Sequence, residues 1–143
     1  MSHRKLNRVI YIAFIILFIT SSAQAIEIDI VETVVKYDKT GVILEFYYNL
    51  DPVQRLKGII FGASYIEEDI LSLFDKCIDL KVKRIDFEHA ELILPVVYYN
   101  DSAYFPGIKF REPVSEMKLI FPGNSSITLE NVTEIPQAFY SIQ

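Results

Sequence analysis

Short stretches in which apolar and polar residues alternate recur along most of this chain of 143 residues. A period of two places alternate side chains on opposite faces of a β-strand. The stretches are rich in isoleucine, valine, tyrosine and phenylalanine, which favour strands over helices. The pattern predicts seven strands, over residues 26–37, 42–48, 78–88, 92–99, 104–110, 114–121 and 127–132.

Two of these stretches change phase partway along. The apolar positions shift from even to odd numbers at Ile30 and Val31, and shift again in the same way near Lys83 and Arg84. One extra residue in a strand reverses the face that every later side chain occupies. The two phase changes therefore predict β-bulges, or a strand that passes from one sheet to another.

Turn residues separate the predicted strands. Asp38 can open a turn and Gly41 can take the left-handed conformation after it, which predicts a hairpin. Residues 122–125 (PGNS) predict a second turn, and residues 111–113 (REP) predict a polar break between two strands. Pro95 has no amide hydrogen to donate, so it is expected at a sheet edge or a bulge.

Two segments have helical signals. An amphipathic helix is predicted over residues 65–77, because Ser64 and Glu67 match a capping box. Its apolar positions follow helical spacing and form one stripe: Ile66, Ile70, Leu73, Phe74 and Cys77. A short helix over residues 52–61 is a second prediction, since Asp51 can cap it and Pro52 suits its first turn. Gly58 and the β-branched residues that follow it leave a strand open as the alternative there.

These elements predict a mainly β chain with an inserted helix, of the α+β class. The fold expected is an antiparallel β-sandwich of immunoglobulin-like architecture, with helix 65–77 packed on the sheet after the first hairpin. Residues 26–143 are long enough for one domain with its own core. In the last segment, Ile135, Phe139 and Tyr140 are expected to pack inward.

Residues 1–25 have the three-part order of a secretory signal peptide. Basic residues come first, residues 9–19 (VIYIAFIILFI) are apolar throughout, and residues 20–25 (TSSAQA) are small and polar. Eleven apolar residues are fewer than the roughly 20 that a spanning helix needs. The sequence therefore predicts an exported, extracytoplasmic domain over residues 26–143. The alternative is an uncleaved N-terminal membrane anchor with the domain outside, and only then would the chain contact a membrane.

The charge argues against a nucleic-acid-binding protein, and the cysteine content excludes a secreted scaffold held together by intramolecular disulfides. The chain has 14 basic and 19 acidic residues, and removing the three basic residues of the leader leaves 11 against 19, a net charge of −8. Such a domain repels polyanions, so nucleic acid is not expected as a partner. Cys77 is the only cysteine, which excludes an intramolecular disulfide, and we expect it to be buried.

One charged segment is a candidate for catalysis. His89 is the only histidine after the leader, and Asp86, Glu88 and Glu91 flank it. A histidine with carboxylates could act as a general base, which makes a small secreted hydrolase the alternative function. A structural zinc site needs four ligands, so neither a metal nor any cofactor is predicted. A turn histidine with no chemical role is the simpler interpretation.

An aromatic cluster is the candidate for binding. Tyrosine and phenylalanine around a loop can form a platform for sugars or a centre of protein recognition. At alternating strand positions, half of them are expected to lie in the core instead. The candidates are Tyr98, Tyr99, Tyr104 and Phe105.

Three asparagines lie in N-x-S/T sequons in or beside predicted turns, and they are candidates for glycosylation: Asn100, Asn124 and Asn131. Turn chemistry alone also enriches asparagine and serine. Both readings stay open from the sequence.

The function predicted from these features is non-catalytic. We expect a secreted or cell-surface domain that binds an envelope protein or associates with copies of itself. A weaker alternative is a carrier of an apolar ligand, held between the amphipathic helix and the sheet in a cavity of roughly 300 Å³ or more.

Overall fold

The computed structural model describes residues 28–75 and 79–143. The leader over residues 1–25 and Cys77 lie outside the described residues. Two helices, α1 (Pro52–Phe61) and α2 (Ser64–Leu71), follow the first hairpin. The strands are β1 (Asp29–Asp38), β2 (Gly41–Asn49), β3 (Lys81–Ile85), β4 (His89–Leu94), β5 (Val97–Tyr98), β6 (Ser102–Phe105), β7 (Ile108–Ile120), β8 (Ser126–Ile135) and β9 (Ala138–Ser141).

The strands form a six-stranded sheet in the order β3-β4-β2-β1-β7-β8 and a three-stranded sheet in the order β5-β6-β9. The predicted mainly β chain with helical insertions is therefore confirmed. The expected antiparallel pairing is wrong at one place, because β1 and β7 run parallel. A parallel pair needs a long crossover connection, and here residues 39–107 supply it with both helices and five strands. The described residues hold nine strands where seven were predicted.

The β1–β2 hairpin forms as predicted. Asp38 pairs with Gly41, whose φ of 136° lies in the region that glycine favours. The register of the hairpin shifts between Ile30 and Glu32, which places a bulge where the alternation changes phase. A second register shift, between Val82 and Arg84 in β3, matches the other predicted bulge.

The break predicted at residues 111–113 is wrong. β7 runs through this segment, which appears as an irregular register between Lys109 and Val114. The chain turns earlier, at Gly107, whose φ is 84°. A Cβ at Gly107 would lie 2.9 Å from the Ile135 carbonyl oxygen, so a larger residue does not fit this turn.

Helix α1 confirms the prediction over residues 52–61. Its capping box is complete: the Gln54 amide donates to Asp51 Oδ1 at 2.8 Å, and the Asp51 amide donates to Gln54 Oε1 at 3.2 Å. Pro52 begins the helix, and Gly62 follows its end with a φ of 85°. The strand alternative is wrong here because the cap and the proline together favour the helix.

Helix α2 is shorter than the predicted helix 65–77. It ends at Leu71, and Phe74 instead forms a β-bridge with Phe110 of β7. The N-cap position is held by Ala63 and has no side-chain bond, so the capping box predicted for Ser64 does not form. Ile66 and Ile70 are nevertheless buried, as the stripe predicts.

The core lies between the inner face of the large sheet, α2 and the small sheet. Phe46 of β2 is fully buried and its ring lies 6.2 Å from the rings of both Phe74 and Phe110. A second aromatic group forms where Tyr37 stacks on Phe121 at 4.9 Å. No helix among the described residues is both long and apolar enough to cross a bilayer.

Candidate binding surface

The segment around His89 is a structured turn. Asp86 Oδ1 accepts hydrogen bonds from the amides of Glu88 and His89, at 3.0 and 2.8 Å, and its Oδ2 pairs with Arg84 at 2.9 Å. Burial raises the pKa of Asp86, but these amide bonds and Arg84 outweigh it and hold the pKa below its ordinary value. Asp86 is thus the residue that shapes this turn.

The carboxylates of Glu88 and Glu91 pair with two different cations. Glu88 lies 3.4 Å from Arg55 of α1 and is largely exposed, whereas Glu91 pairs with Lys83 at 2.6 Å. The described residues contain no group of three histidine, cysteine or acidic side chains placed to hold a metal ion. The candidate catalytic carboxylates therefore have structural partners, and the hydrolase alternative gains no support from their geometry.

The His89 ring packs on the Tyr47 ring, with 4.7 Å between centroids. Its Nε2 is buried, and the described residues offer it no hydrogen-bond partner. A catalytic base needs a reacting proton within reach and a group that orients the ring. The position of His89 at the start of β4 agrees with the simpler interpretation as a histidine at the end of a hairpin.

Sequence reasoning missed Glu45, which lies beside this segment. Glu45 is 8% exposed and directly opposite Glu91 in the antiparallel register of β2 and β4. Its carboxylate pairs with Lys36 at 2.8 Å and accepts a hydrogen bond from the Tyr47 hydroxyl at 3.1 Å. The hydrogen bond to Glu45 raises the pKa of Lys36, while burial, with the same carboxylate, raises the pKa of Tyr47. The outer face of the large sheet thus has an ordered ionic layer.

The predicted aromatic cluster divides between core and surface. Phe105 is 2% exposed and belongs to the core, as alternation in β6 requires. Tyr98 and Tyr99 are 52% and 55% exposed, and Tyr104 is half-buried. The binding prediction therefore loses one of its four residues to packing and keeps three at the surface.

The small sheet brings two further apolar residues to this surface. Val97 pairs with Tyr104, and Tyr104 pairs with Phe139, so the three side chains form one row across β5, β6 and β9. Phe139 is 67% exposed, which contradicts the prediction that it packs inward, and its ring lies 5.8 Å from that of Tyr99. We call this surface the aromatic row: Val97, Tyr99, Tyr104 and Phe139.

Polar groups border the aromatic row. The Tyr104 hydroxyl donates to Gln137 Oε1 at 3.2 Å, and the Tyr99 amide donates to the Ser102 carbonyl at 2.8 Å. The row was only partly visible in the sequence because Phe139 lies 35 positions from its partner Tyr104. Only the cross-strand register places Phe139 beside Tyr104.

The three sequon asparagines are all exposed. Asn124 and Asn131 have φ values of 64° and 51°, a conformation that asparagine adopts more readily than other residues with a side chain. Backbone conformation is thus sufficient reason for asparagine at two of the three positions. Glycosylation of Asn100, Asn124 and Asn131 stays a prediction.

A pocket of about 470 Å³ lies beside the β6–β7 turn and the end of β8. Charged residues line part of it: Asp75, Lys109 and Glu134. It does not lie between α2 and the large sheet, where Ile66, Ile70 and Phe74 are at most 3% exposed and fill the space. The position predicted for an apolar ligand is therefore packed.

No family model, no curated protein and no solved structure matches this chain. The inferences about function below therefore come from the residues and their geometry.

Proposed function

We propose that this chain is a non-catalytic extracytoplasmic domain that binds an envelope component, or a second copy of itself, through the aromatic row. The observation that carries this proposal is one contiguous cross-strand row in which Val97 and Phe139 are exposed on either side of the half-buried Tyr104. Contiguous exposed apolar surface is uncommon on monomeric proteins and marks interaction sites.

The chemistry of the row suits recognition. Tyrosine combines a large apolar ring with a hydroxyl that can form hydrogen bonds, and it is enriched among residues that dominate binding energy. Tyr99 and Phe139 lie close enough to act as one surface, with 5.8 Å between ring centroids. Gln137 and the tyrosine hydroxyls supply a polar border, as protein interfaces commonly have.

The location outside the cytoplasm is the second part of the proposal. It is supported by the order of basic, apolar and small residues in the leader. Sequencing the N-terminus of the exported protein tests it. A mature chain that starts near residue 26 supports cleavage, and a retained Met1 supports the anchored alternative.

The two sheets are proposed to form a sandwich of immunoglobulin-like architecture. Two contacts between layers support it: Tyr140 of β9 meets Tyr37 of β1 edge-on at 5.3 Å, and Phe105 of β6 is buried in the shared core. Such a sandwich leaves the outer face of the small sheet free for binding.

Photocrosslinking in the native host tests the binding surface. A benzophenone amino acid replaces Phe139 in one variant and Ile127 in the control, because Ile127 is an apolar residue of β8 that is 52% exposed. We expect a discrete adduct only from position 139. An adduct of twice the chain mass identifies self-association, and another mass identifies an envelope component.

Either adduct loses its intensity when Tyr99→Ser is added, if the row binds as one surface. The same set of adducts from both positions, or none from position 139, would contradict the proposal.

A further inference from the structure

Helix α1 turns its polar residues toward the protein and its apolar residues outward. Its buried residues are Gln54, Lys57 and Gly58. Four aliphatic residues on the other side form what we call the α1 stripe, with exposed fractions of 38%, 37%, 71% and 48%: Val53, Leu56, Ile59 and Ile60. A surface helix of a globular domain normally has the reverse arrangement.

Specific contacts hold α1 in this orientation. Gln54 completes the capping box, and Lys57 Nζ donates to the Tyr65 hydroxyl at 3.1 Å while lying 5.4 Å from the centre of that ring. Gly58 lies directly under Phe87, where an added Cβ would come within 2.4 Å of the ring. The contacts of α1 with Tyr65 and Phe87 therefore keep the α1 stripe exposed.

The stripe lies near the point where the N-terminal segment joins the domain. α1 begins at Pro52, and Asn49 just before it pairs with Asp29, the first residue of β1. Only nine residues separate Asp29 from the apolar run at residues 9–19. Nine residues reach at most about 30 Å when extended. A leader that stays in a bilayer would therefore hold the α1 end of the domain close to the lipid surface.

The charges of α1 also suit a lipid surface. The helix contains no acidic residue, in a chain whose net charge is −5. Arg55 is its exposed cation and lies 3.4 Å from Glu88, whereas Lys57 is buried against Tyr65. Helices that lie in the membrane interface combine basic residues with an apolar face. Four aliphatic side chains bind weakly alone, but a tether to the same bilayer raises their effective concentration.

We propose that, in the anchored alternative of the proposed function, the α1 stripe rests on the lipid surface of the membrane that holds the uncleaved N-terminal segment. This contact is separate from the aromatic row and fixes the orientation of the domain on the bilayer. The occupant of the stripe is thus the lipid, and the N-terminal segment serves as its tether.

A fluorescent probe on the full chain tests the contact. With Cys77→Ser as background, an environment-sensitive nitrobenzoxadiazole is attached at Ile59→Cys or, as control, at Ser125→Cys. Ser125 lies in the β7–β8 turn, at the opposite end of the large sheet from α1. The proteins are reconstituted in vesicles of phosphatidylcholine and phosphatidylglycerol. We expect blue-shifted emission and quenching by spin-labelled lipid at position 59 only.

A second variant separates lipid from protein contact. Adding Ile60→Asp should return the emission at position 59 to that of an aqueous probe, with an unchanged thermal midpoint because the side chain is exposed. Emission that is blue-shifted but not quenched by lipid would mean that protein covers the stripe, and would overturn the proposal. Equal quenching at positions 59 and 125, or no effect of Ile60→Asp, would overturn it as well.

Discussion

The Tyr140 hydroxyl donates a hydrogen bond to the Asp38 carbonyl at 2.9 Å, across 102 positions of the chain. Tyr140 belongs to the small sheet, and Asp38 ends β1 of the large sheet. The bond therefore ties the last strand to the turn of the first hairpin. Burial raises the pKa of Tyr140 to about 12.

Removing this bond should cost stability. We expect Tyr140→Phe to lower the free energy of unfolding by about 1 kcal/mol, since the variant loses a hydrogen bond between the sheets. The midpoint of urea unfolding at constant slope measures this change. Tyr104→Phe is the matched control, because its hydroxyl bonds to Gln137 at the surface and its loss should cost less than about 0.5 kcal/mol. Equal losses in the two variants would contradict the role given to Tyr140.

The opposite result is expected for Tyr37→Phe. The Tyr37 hydroxyl is buried, and the described residues offer it no hydrogen-bond partner. Burying an unpaired hydroxyl costs about 1–3 kcal/mol, while the ring can keep its stacking on Phe121. The variant should be as stable as the parent or up to about 1 kcal/mol more stable. If Tyr37→Phe instead lowered the free energy of unfolding by more than about 1 kcal/mol in the same urea assay, the Tyr37 hydroxyl would have to form a hydrogen bond in the folded chain.

Stability should fall in alkaline solution. Burial raises the pKa values of Tyr37 and Tyr140 from 10 to about 12 in the folded chain. The folded state therefore keeps these protons longer than the unfolded state does. Their contribution is fully present below pH 10 and is lost as the pH rises to about 12. Thermal midpoints measured from neutral to alkaline pH should show this decline.

The variant with both Tyr37→Phe and Tyr140→Phe is the control for this decline. Between pH 10 and 12 the thermal midpoint of this variant should fall less steeply with pH than that of the parent. Some dependence on pH should remain, because burial also raises the pKa of Tyr48. An unchanged slope in the double variant would assign the decline to other groups.

The ion pair between Lys36 and Glu45 should contribute more to the free energy of unfolding than the pair between Lys83 and Glu91. The Glu45 side chain is only 10% exposed, so Lys36→Met leaves a nearly buried carboxylate without its cation. We expect a loss of about 1–2 kcal/mol, reduced by water around Lys36 and by the bond from Tyr47. Lys83→Met removes the similar pair to Glu91 and should cost roughly 0.5 kcal/mol. Urea midpoints that rank the two variants in reverse would contradict this difference.

Binding and stability should separate at Phe139. The side chain is 67% exposed, so Phe139→Ser should change the free energy of unfolding by less than about 0.5 kcal/mol. The adduct to the partner in crosslinking from Tyr99 should disappear in the same variant. Thr128→Ala, an exposed change on β8, should leave both measurements as they are. A partner adduct that survives Phe139→Ser would remove this residue from the binding surface.

The sequence predicts the local structure of this chain well. The alternation, the two phase changes and the turn at Gly41 all correspond to observed strands, bulges and a hairpin. Helix α1 begins and ends at the predicted residues, because a complete capping box depends only on neighbours in the chain. These features are governed by contacts within a few positions.

Tertiary contacts explain the failures. The pairing of Phe74 with Phe110 ends α2 early, and no local signal reports a partner 36 positions away. The parallel pairing of β1 with β7 has the same period as an antiparallel one, so alternation cannot reveal its direction. The aromatic row was half predicted for the same reason: Tyr99 and Tyr104 are neighbours in sequence, and Phe139 reaches them only through the register of β9.

The length of the first hairpin also separates α1 from the end of the domain where the small sheet is attached. At one end α1 follows β2, and at the other the Asp38 carbonyl receives the bond from the small sheet. Ten residues of β1 at roughly 3.3 Å each give a rod of about 33 Å. A domain seated on lipid by α1 with the hairpin upright would hold its Asp38 end about 33 Å farther from the bilayer.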